Sequence, residues 1–380
     1  MTTTRTPLTP TVVKTSATLA DGREIIFYDD SAAYVSGEKT RTVHDPRPLE
    51  ARTLPPHDAA SIRTDPLTGY PVAIAAHRQN RTFLPPADED PLAPAGQGSV
   101  PSEIPEPEYD VVVFENRFPS LQGPYEVLND NTLNYETTPA GRCEVVCFTS
   151  NAIGSFATLS QQRARTVFEA WKDRTKELLA LDSVREVFIF ENKGEEIGVT
   201  LHHPHGQIYG YSYLTPYTTA LKRQTDAYAQ KNRKDLLADV LLSEVRDGRR
   251  IIRRTENFTA YVPFAAKWPV EFMIMPHKAV KNFTGFTSEE LDELSEFYLD
   301  LLGRLNRYFD GIELPYISAW HQVPSDGAEH ISRMFLHVFS LKRAPEKLKY
   351  LAGSESAMAA WINDRTPEEI AARLKEVELP

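Results

Sequence analysis

The chain has 380 residues, enough for one large domain or two medium ones with a substantial core. Hydrophobic residues make up 41% and charged residues 25% of the sequence, which is ordinary for a globular protein. The 53 acidic residues outnumber the 42 basic ones and give a net charge of −11, which argues against a nucleic-acid-binding protein. No apolar run reaches membrane-spanning length and no signal-peptide core is present, so we expect a cytoplasmic location.

The N-terminal part of the sequence has a weak structural signal. Residues 1–60 are rich in Thr, Pro and charged residues and predict a partly ordered extension that packs on the main body or on a partner subunit. The run Ile25-Ile26-Phe27-Tyr28 after Asp21-Gly22 is its one hairpin-like signal. Residues 84–108 contain many prolines and predict a long irregular connection.

Two later segments, residues 61–215 and 251–380, repeat one plan of two strands, an amphipathic helix and two more strands. The apolar face of the first helix consists of Val167, Phe168, Trp171, Leu178 and Leu179. The second helix begins near Thr287 or Ser288. Its apolar face consists of Leu291, Leu294, Tyr298, Leu301, Leu305 and Tyr308. Residues 216–250, rich in Lys, Arg and Asp, predict a helical connector. This order of elements favours an α+β fold with a largely antiparallel sheet.

Both cysteines fall in one predicted strand. Cys143 and Cys147 lie on the same face of that strand, about 13 Å apart at ~3.3 Å per residue. A disulfide requires much closer Cα atoms, so the strand and the disulfide exclude each other. We expect two buried, unreactive thiols.

The most informative segment is His-Pro-His-Gly-Gln at residues 203–207. Side chains alternate along an extended chain, so His203, His205 and Gln207 point to the same face. An imidazole is a good nucleophile near neutral pH, and an amide can donate to an oxyanion. The pattern predicts transfer of a phosphoryl-type group through a covalent histidine intermediate. The alternative is a pair of ordinary strand histidines, with Pro204 at a sheet edge.

This segment resembles the active site of galactose-1-phosphate uridylyltransferases, a branch of the histidine-triad superfamily. The resemblance extends from about residue 60 to the end of the chain. The other matching segments are RTDPLTG at 63–69, HRQNR at 77–81, VFENRFP at 113–119, Trp320-His321 and KYLAGSE at 349–355. The resemblance implies tandem histidine-triad-like halves. It also implies ping-pong transfer of UMP from UDP-glucose to galactose-1-phosphate through a uridylyl-histidine.

By this resemblance, His205 is the nucleophile and Gln207 donates to a phosphoryl oxygen. We expect the second ring nitrogen of His205 to donate its proton to a backbone carbonyl, which leaves the attacking nitrogen bare. The positions that match substrate-binding residues are Arg78, Arg81, Asn116, Phe118, Asn192, Gly198, Thr200, Lys349, Tyr350 and Glu355.

The resemblance assigns these positions to different parts of the substrate. The two arginines match phosphate-binding residues, since a guanidinium can bond two phosphate oxygens at once. Asn116 and Phe118 match residues that contact uridine. Residues 192–200 match residues on the phosphate side of the substrate, and residues 349–355 match residues on its hexose side. An ordinary charged surface is the alternative for the arginines and for residues 349–355.

The resemblance also implies metal positions, and here the sequence departs from the family. Many members bind a structural zinc, and the matching positions hold Asp90, Ala93, Ala152 and His203. A structural zinc site needs about four ligands, typically thiolates and imidazoles, and only His203 remains. We therefore expect no required cofactor and a structural His203, hydrogen-bonded to Asp90.

A second metal site of some members is matched by Leu221, His321, Phe335 and His337. Two imidazoles alone make a poor site for iron or zinc, so we expect this site to be empty. Binding of a cation by His321 and His337 is the alternative.

A uridylyltransferase of galactose metabolism is the leading function. One alternative is a related nucleotidyltransferase or phosphorylase that uses ADP-glucose or dinucleoside polyphosphates. Others are a non-catalytic sugar-nucleotide-binding protein and a hydrolase that releases UMP. The expected partners are UDP-glucose, UDP-galactose and hexose-1-phosphates, and the resemblance alone implies a homodimer.

Overall fold

The computed structural model describes residues 3–53, 60–80, 85–86, 89–98 and 100–379. The chain forms two compact units. The first comprises the residues up to Ile189, Thr200–Thr219 and Pro324–Asp326, and the second comprises Phe190–Val199, Ala220–Val323 and the residues from Gly327 onward. Among the described residues, no helix combines the length and the apolar character that a membrane crossing requires.

The first unit is built mainly from strands. They are β1 (Thr4–Thr9), β2 (Val12–Thr18), β3 (Glu24–Asp29), β4 (Ala60–Thr64), β5 (Pro71–Ala75), β6 (Val111–Glu115), β7 (Val127–Asn129), β8 (Glu136–Thr137), β9 (Gly141–Cys147), β10 (Glu186–Lys193), which ends in the second unit, and β11 (His205–Tyr211). The helices are α1 (Ala32–Val35), α2 (Gln161–Leu178) and the start of α3 (Pro216–Asn232).

The main sheet of the first unit has the strand order β1-β2-β3-β6-β9-β11, with β10 next to β11. The pairs from β1 to β11 are antiparallel. A smaller sheet has the order β5-β4-β8-β7.

The N-terminal segment forms more regular structure than the sequence predicted. Residues 1–60 contain β1, β2 and β3 rather than a single hairpin-like signal, and β3 pairs with β6 in the main sheet. Successive residues of β3, Ile25 to Tyr28, are all buried, so both faces of this strand are covered. A strand covered on both faces lacks the polar–apolar alternation that identifies a half-exposed strand.

Helix α2 packs against β3 and β6 and is anchored to β9, the neighbour of β11. The side chain of Ser160 caps the helix by accepting from the backbone N–H of Arg163. Of the predicted apolar face, all but Leu179 are buried. Arg174 forms a two-pronged ion pair with Glu144 of β9, at 2.9 and 2.7 Å. This bidentate geometry fixes the helix against the sheet strand that supports the candidate site.

The second unit repeats the plan of the first. Its strands are β12 (Ile251–Arg254), β13 (Phe258–Tyr261), β14 (Val270–Pro276), β15 (Tyr316–His321), β16 (Phe335–Ser340), β17 (Lys342–Ala344) and β18 (Lys347–Leu348). Its helices, besides most of α3, are α4 (Leu236–Asp247), α5 (Ser288–Asn306), α6 (Gly353–Met358) and α7 (Pro367–Glu376).

The duplication expected from the sequence is visible in the strand order. The first unit has β6-β9-β11-β10 with α2 between β9 and β10 in the chain, and the second has β13-β14-β16-β15 with α5 between β14 and β15. In both units, the strand that comes fourth in chain order among these four lies between the second and the third in the sheet. The predicted α+β class with a largely antiparallel sheet is confirmed. Helices α3 and α4 lie within residues 216–250, and the role of this segment as a connector stays a prediction.

Two local predictions are also confirmed. Helix α5 begins at Ser288 with Thr287 as its cap, in a capping box with Glu290, and all six residues of its predicted apolar face are buried. Cys143 and Cys147 are free and buried on β9. Burial raises the pKa of both thiols, so both stay protonated and unreactive at neutral pH.

Candidate functional site

The centre of the candidate site is the start of β11. This strand pairs with β9 in a register that places His205 opposite Cys147 and Gln207 opposite Val145. His205 and Gln207 lie on one face and line a cavity of the first unit. Three more residues that the sequence predicted line the same cavity: Thr200, Asn116 and Phe118.

The imidazole of His205 is held in one tautomer. Its Nδ1 lies 2.7 Å from the backbone carbonyl oxygen of His203. A carbonyl oxygen can only accept, so Nδ1 carries the proton and Nε2 keeps a bare lone pair. Burial lowers the pKa of His205, against the smaller opposing effect of this hydrogen bond. The ring is therefore neutral at neutral pH, as a nucleophile must be.

His203 is fixed by three hydrogen-bonding contacts. Its ring Nε2 lies 2.7 Å from the carbonyl oxygen of Thr149 and 3.0 Å from the hydroxyl of Tyr109. The expected hydrogen bond to Asp90 is made by the backbone N–H of His203, which donates to the carboxylate at 3.3 Å. Burial lowers the pKa of the His203 ring, which stays neutral.

The residues around His203 do not fit a structural zinc. The buried His203 Nδ1 has no hydrogen-bond partner among the described residues, and so one nitrogen is available as a ligand. The carboxylate of Asp90, however, already accepts the backbone N–H groups of Leu92 and His203, at 2.8 and 3.3 Å. Ala93 and Ala152 have no ligand atoms in their side chains. Across the described part of the chain, no group of three or more His, Cys, Asp or Glu side chains is suited to a metal ion.

The second set of metal positions lies in the second unit and is largely apolar. Phe335 belongs to a buried hydrophobic cluster against which Leu221 packs. His321 stacks on Phe335, with ring centroids 4.9 Å apart, and its pKa is lowered to about 3, chiefly by burial. His337 Nε2 bonds to Glu271, at 2.8 Å. Each imidazole therefore has a protein partner: the Phe335 ring for His321 and the Glu271 carboxylate for His337.

Of the two predicted phosphate-binding arginines, the structure describes only Arg78. Arg78 lies in a 3-10 helical turn, Ala76–Asn80, and hydrogen-bonds to the hydroxyl of Tyr209. It is absent from the lining of the cavity that contains His205. Arg81 lies outside the described residues. The phosphate-binding role of both arginines stays a prediction.

The remaining predicted residues lie in the second unit. Asn192 is in the last part of β10, and Gly198 follows a short 3-10 turn with φ of +84°, a left-handed conformation that favours glycine. Lys349 and Glu355 are buried and paired to each other, at 2.9 Å, and Lys349 also donates to the carbonyl of Ile362. Tyr350 is exposed. Lys349 and Glu355 therefore form a pre-arranged ion pair rather than two separate charged groups.

Three functional candidates were missed by sequence reasoning. Arg117 lines the cavity, with its Nη1 3.2 Å from Glu103 and its guanidinium carbon 5.6 Å from the centre of the Phe118 ring. Its position inside the VFENRFP segment was the available signal. Tyr209 continues the period-two face of β11. Tyr109 contacts His203 from 94 positions away, and no local pattern predicts such a contact.

Comparison with known proteins agrees with this geometry. Residues 48–215 match the family model described as galactose-1-phosphate uridyl transferase, N-terminal domain, and residues 221–379 match the model of the C-terminal domain. The chain is 44% identical over 378 residues to the galactose-1-phosphate uridylyltransferase of Streptomyces lividans, covering 96% of this chain and 98% of that protein.

Two more distant relatives agree. The galactose-1-phosphate uridylyltransferase of Thermotoga maritima is 34% identical, over 84% of this chain and 98% of its own. A solved uridylyltransferase structure superimposes with a TM-score of 0.72 at 27% identity, covering 83% of this chain and 97% of that one. The chain therefore belongs to the galactose-1-phosphate uridylyltransferase family.

Proposed function

We propose that this chain transfers UMP from UDP-glucose to galactose-1-phosphate, with His205 as the carrier of the UMP group. The observation that carries the proposal is the hydrogen bond from His205 Nδ1 to the His203 carbonyl, which leaves Nε2 bare in a cavity beside Gln207. The 44% identity to a named uridylyltransferase supports the choice of substrates.

The first half-reaction forms one bond and breaks one. His205 Nε2 attacks the α-phosphorus of UDP-glucose, and the bond from that phosphorus to the bridging oxygen breaks, so glucose-1-phosphate leaves as an anion. In the second half-reaction a phosphate oxygen of galactose-1-phosphate attacks the phosphoramidate, and neutral His205 is released. The incoming phosphate is already an anion and needs no base. The protein therefore contributes mainly positioning and charge stabilisation.

Three groups in the cavity are suited to the phosphoryl oxygens. The Gln207 amide lies on the face of His205, two residues along β11, and can donate as charge develops. The Thr200 hydroxyl lines the same cavity. Arg117 supplies a positive charge there, and its guanidinium is paired with Glu103, which lines the same cavity. A planar guanidinium suits a diphosphate better than a point charge does.

Asn116 and Phe118 are suited to the uracil base. The side-chain oxygen of Asn116 accepts from the backbone N–H of Phe118, at 2.9 Å. This bond turns the amide N–H₂ group of Asn116 away from that backbone N–H. An N–H₂ donor complements a carbonyl oxygen of uracil, and adenine has no carbonyl oxygen. The Phe118 ring provides an apolar surface for the base. These two residues favour UDP-glucose over ADP-glucose as donor.

We also propose that Lys349 and Glu355 recognise the hexose-1-phosphate. The lysine in their ion pair is suited to a phosphate, and the carboxylate to sugar hydroxyls. Arg78, Arg81, Asn192 and Gly198 are assigned to the phosphates by resemblance. The proposed enzyme needs no metal, because Ala93 and Ala152 provide no ligand atoms in place of the family's zinc ligands. We propose a cytoplasmic homodimer on the basis of the family alone.

The test measures donor and acceptor preference with purified protein. UDP-glucose with galactose-1-phosphate should yield UDP-galactose and glucose-1-phosphate, with parallel double-reciprocal plots typical of ping-pong kinetics. ADP-glucose in place of UDP-glucose should react at least about 100-fold more slowly. Faster turnover of ADP-glucose would support the related phosphorylase instead. Release of UMP from UDP-glucose without acceptor, at the rate seen with acceptor, would support a hydrolase.

A further inference from the structure

The hydroxyl of Tyr209 contacts the side chain on which the proposed phosphoryl transfer depends. His205, Gln207 and Tyr209 occupy alternate positions of β11 and face the same side of the sheet. The Tyr209 Oη lies 3.2 Å from Gln207 Oε1 and donates to it. The contact is made to the amide oxygen, so it decides which end of the amide is available to the cavity.

The direction of this bond follows from the chemistry of the two atoms. The Gln207 amide oxygen has no proton and can only accept, so the Tyr209 hydroxyl is the donor. The guanidinium of Arg78, in the 3-10 turn after β5, interacts with the same hydroxyl and can itself only donate, so the phenol proton is not directed at Arg78. Burial raises the pKa of Tyr209, so the proton that it donates is retained at neutral pH.

The orientation of the Gln207 amide matters because its two ends have opposite chemistry. The oxygen end can only accept and the nitrogen end can only donate. A phosphoryl group presents anionic oxygens, which need donors, and a flipped amide would point its own oxygen at them. With the amide oxygen held by Tyr209, the N–H₂ group is the end that faces the ligand.

We propose that Tyr209 is a positioning residue that locks the Gln207 amide with its N–H₂ group toward the transferred phosphoryl group. This inference rests on the proposed function and extends it to a residue that does not itself touch substrate. Arg78 acts through the same series of hydrogen bonds, since it donates to the Tyr209 hydroxyl and so helps to fix its direction. Restricting the amide to one orientation lowers the barrier without adding a new contact to the substrate.

The test uses Tyr209→Phe, which removes the hydroxyl and keeps the ring. Its control is Tyr211→Phe, which removes a hydroxyl from the next position on the same face of β11. Rapid-quench kinetics with labelled UDP-glucose measures the single-turnover rate of label transfer to protein. We expect Tyr209→Phe to slow this step at least about fivefold, with the dissociation constant of UDP-glucose changed less than about twofold. Tyr211→Phe should react at the wild-type rate.

A double-mutant cycle separates positioning from a general structural effect. In a Gln207→Ala background the amide is gone, so Tyr209→Phe should cause no further slowing. An unchanged rate in Tyr209→Phe, or equal slowing in both backgrounds, would overturn the inference. If Tyr209→Phe does not fold, Tyr209→Leu, which also lacks the hydroxyl, replaces it in both backgrounds. The wild-type rate tests the proposed function separately, because it does not depend on Tyr209.

Discussion

The Nδ1 of His205 lies 2.7 Å from the carbonyl oxygen of His203, and this single bond sets the chemistry of the site. It fixes the ring so that Nε2 is bare. The carbonyl is itself held in place, because the His203 ring bonds to Thr149 and Tyr109 and its backbone N–H to Asp90. Protein hydrogen bonds thus hold His203, the position at which the family resemblance implies a zinc ligand.

The Asp90 carboxylate is predicted to stabilise this support. Asp90→Ala leaves the backbone N–H groups of Leu92 and His203 without their acceptor, which should lower the free energy of unfolding by about 1–3 kcal/mol. Urea unfolding at pH 7 measures the change. Asp130→Ala, at an exposed position, is the matched control and should change it by less than about 0.5 kcal/mol. Equal effects of the two substitutions would contradict the role given to Asp90.

Removal of metal is predicted to have no effect. Dialysis against a strong chelator should leave both the melting temperature and the single-turnover rate unchanged, because Ala93 and Ala152 provide no ligand atoms. Elemental analysis of the untreated protein should find well under one zinc per chain. A stoichiometric zinc whose removal lowers the melting temperature would show that other residues complete a site around His203.

Gln207 is predicted to act in the transition state. Gln207→Ala should lower the single-turnover rate by a factor of about 100 to 1,000, corresponding to about 2.7–4 kcal/mol. The dissociation constant of UDP-glucose should change far less, since the donor matters most when charge develops on the phosphoryl oxygens. Stopped-flow binding and rapid quench measure the two quantities. A loss confined to binding would assign Gln207 to ground-state recognition.

The buried Glu191 is predicted to make the stability of the second unit depend on pH. Its Oε2 accepts from the Tyr316 hydroxyl, at 3.0 Å, and burial raises its pKa to about 7. Because this folded-state pKa exceeds the ordinary value, the stabilising contribution is full below about pH 4.5 and is lost as pH rises through about 7.

A Glu191→Gln substitution tests this sign. The amide cannot ionise, so the variant should lie within about 1 kcal/mol of the wild type at pH 5 and be more stable at pH 8.5, by about 3 kcal/mol. Denaturant unfolding at both pH values measures the difference. Glu346→Gln, at an exposed position of the same unit, should behave like the wild type at both. A variant that gains stability only at pH 5 would reverse the predicted sign.

The part of the site that follows from local periodicity was predictable. A spacing of two along β11 was enough to place His205 and Gln207 on one face, and the VFENRFP segment indicated Asn116 and Phe118. The sequence also predicted that a backbone carbonyl fixes the tautomer of His205. Which carbonyl does so depends on the turn at Pro204 and required the structure.

Contacts between distant segments were not predictable. Tyr109 and His203 meet because β6 and β11 both lie beside β9. A hydrogen bond between His203 and Asp90 was expected, but not that the backbone N–H of His203 donates it. The ion pair of Lys349 with Glu355 depends on the start of α6. Strand β2 is buried along most of its length and β1 is mostly exposed, so neither shows the alternation that marks a half-exposed strand, and both were missed.

The most direct test of the central claim is covalent labelling of His205. Protein is incubated with UDP-glucose labelled in the uracil ring, denatured, and assayed for bound label that is labile to acid and stable to base, as a phosphoramidate is. Wild type and His202→Ala, a neighbouring exposed histidine, should both take up label approaching one per chain, and His205→Ala should take up none. Label that persists in His205→Ala would contradict the account.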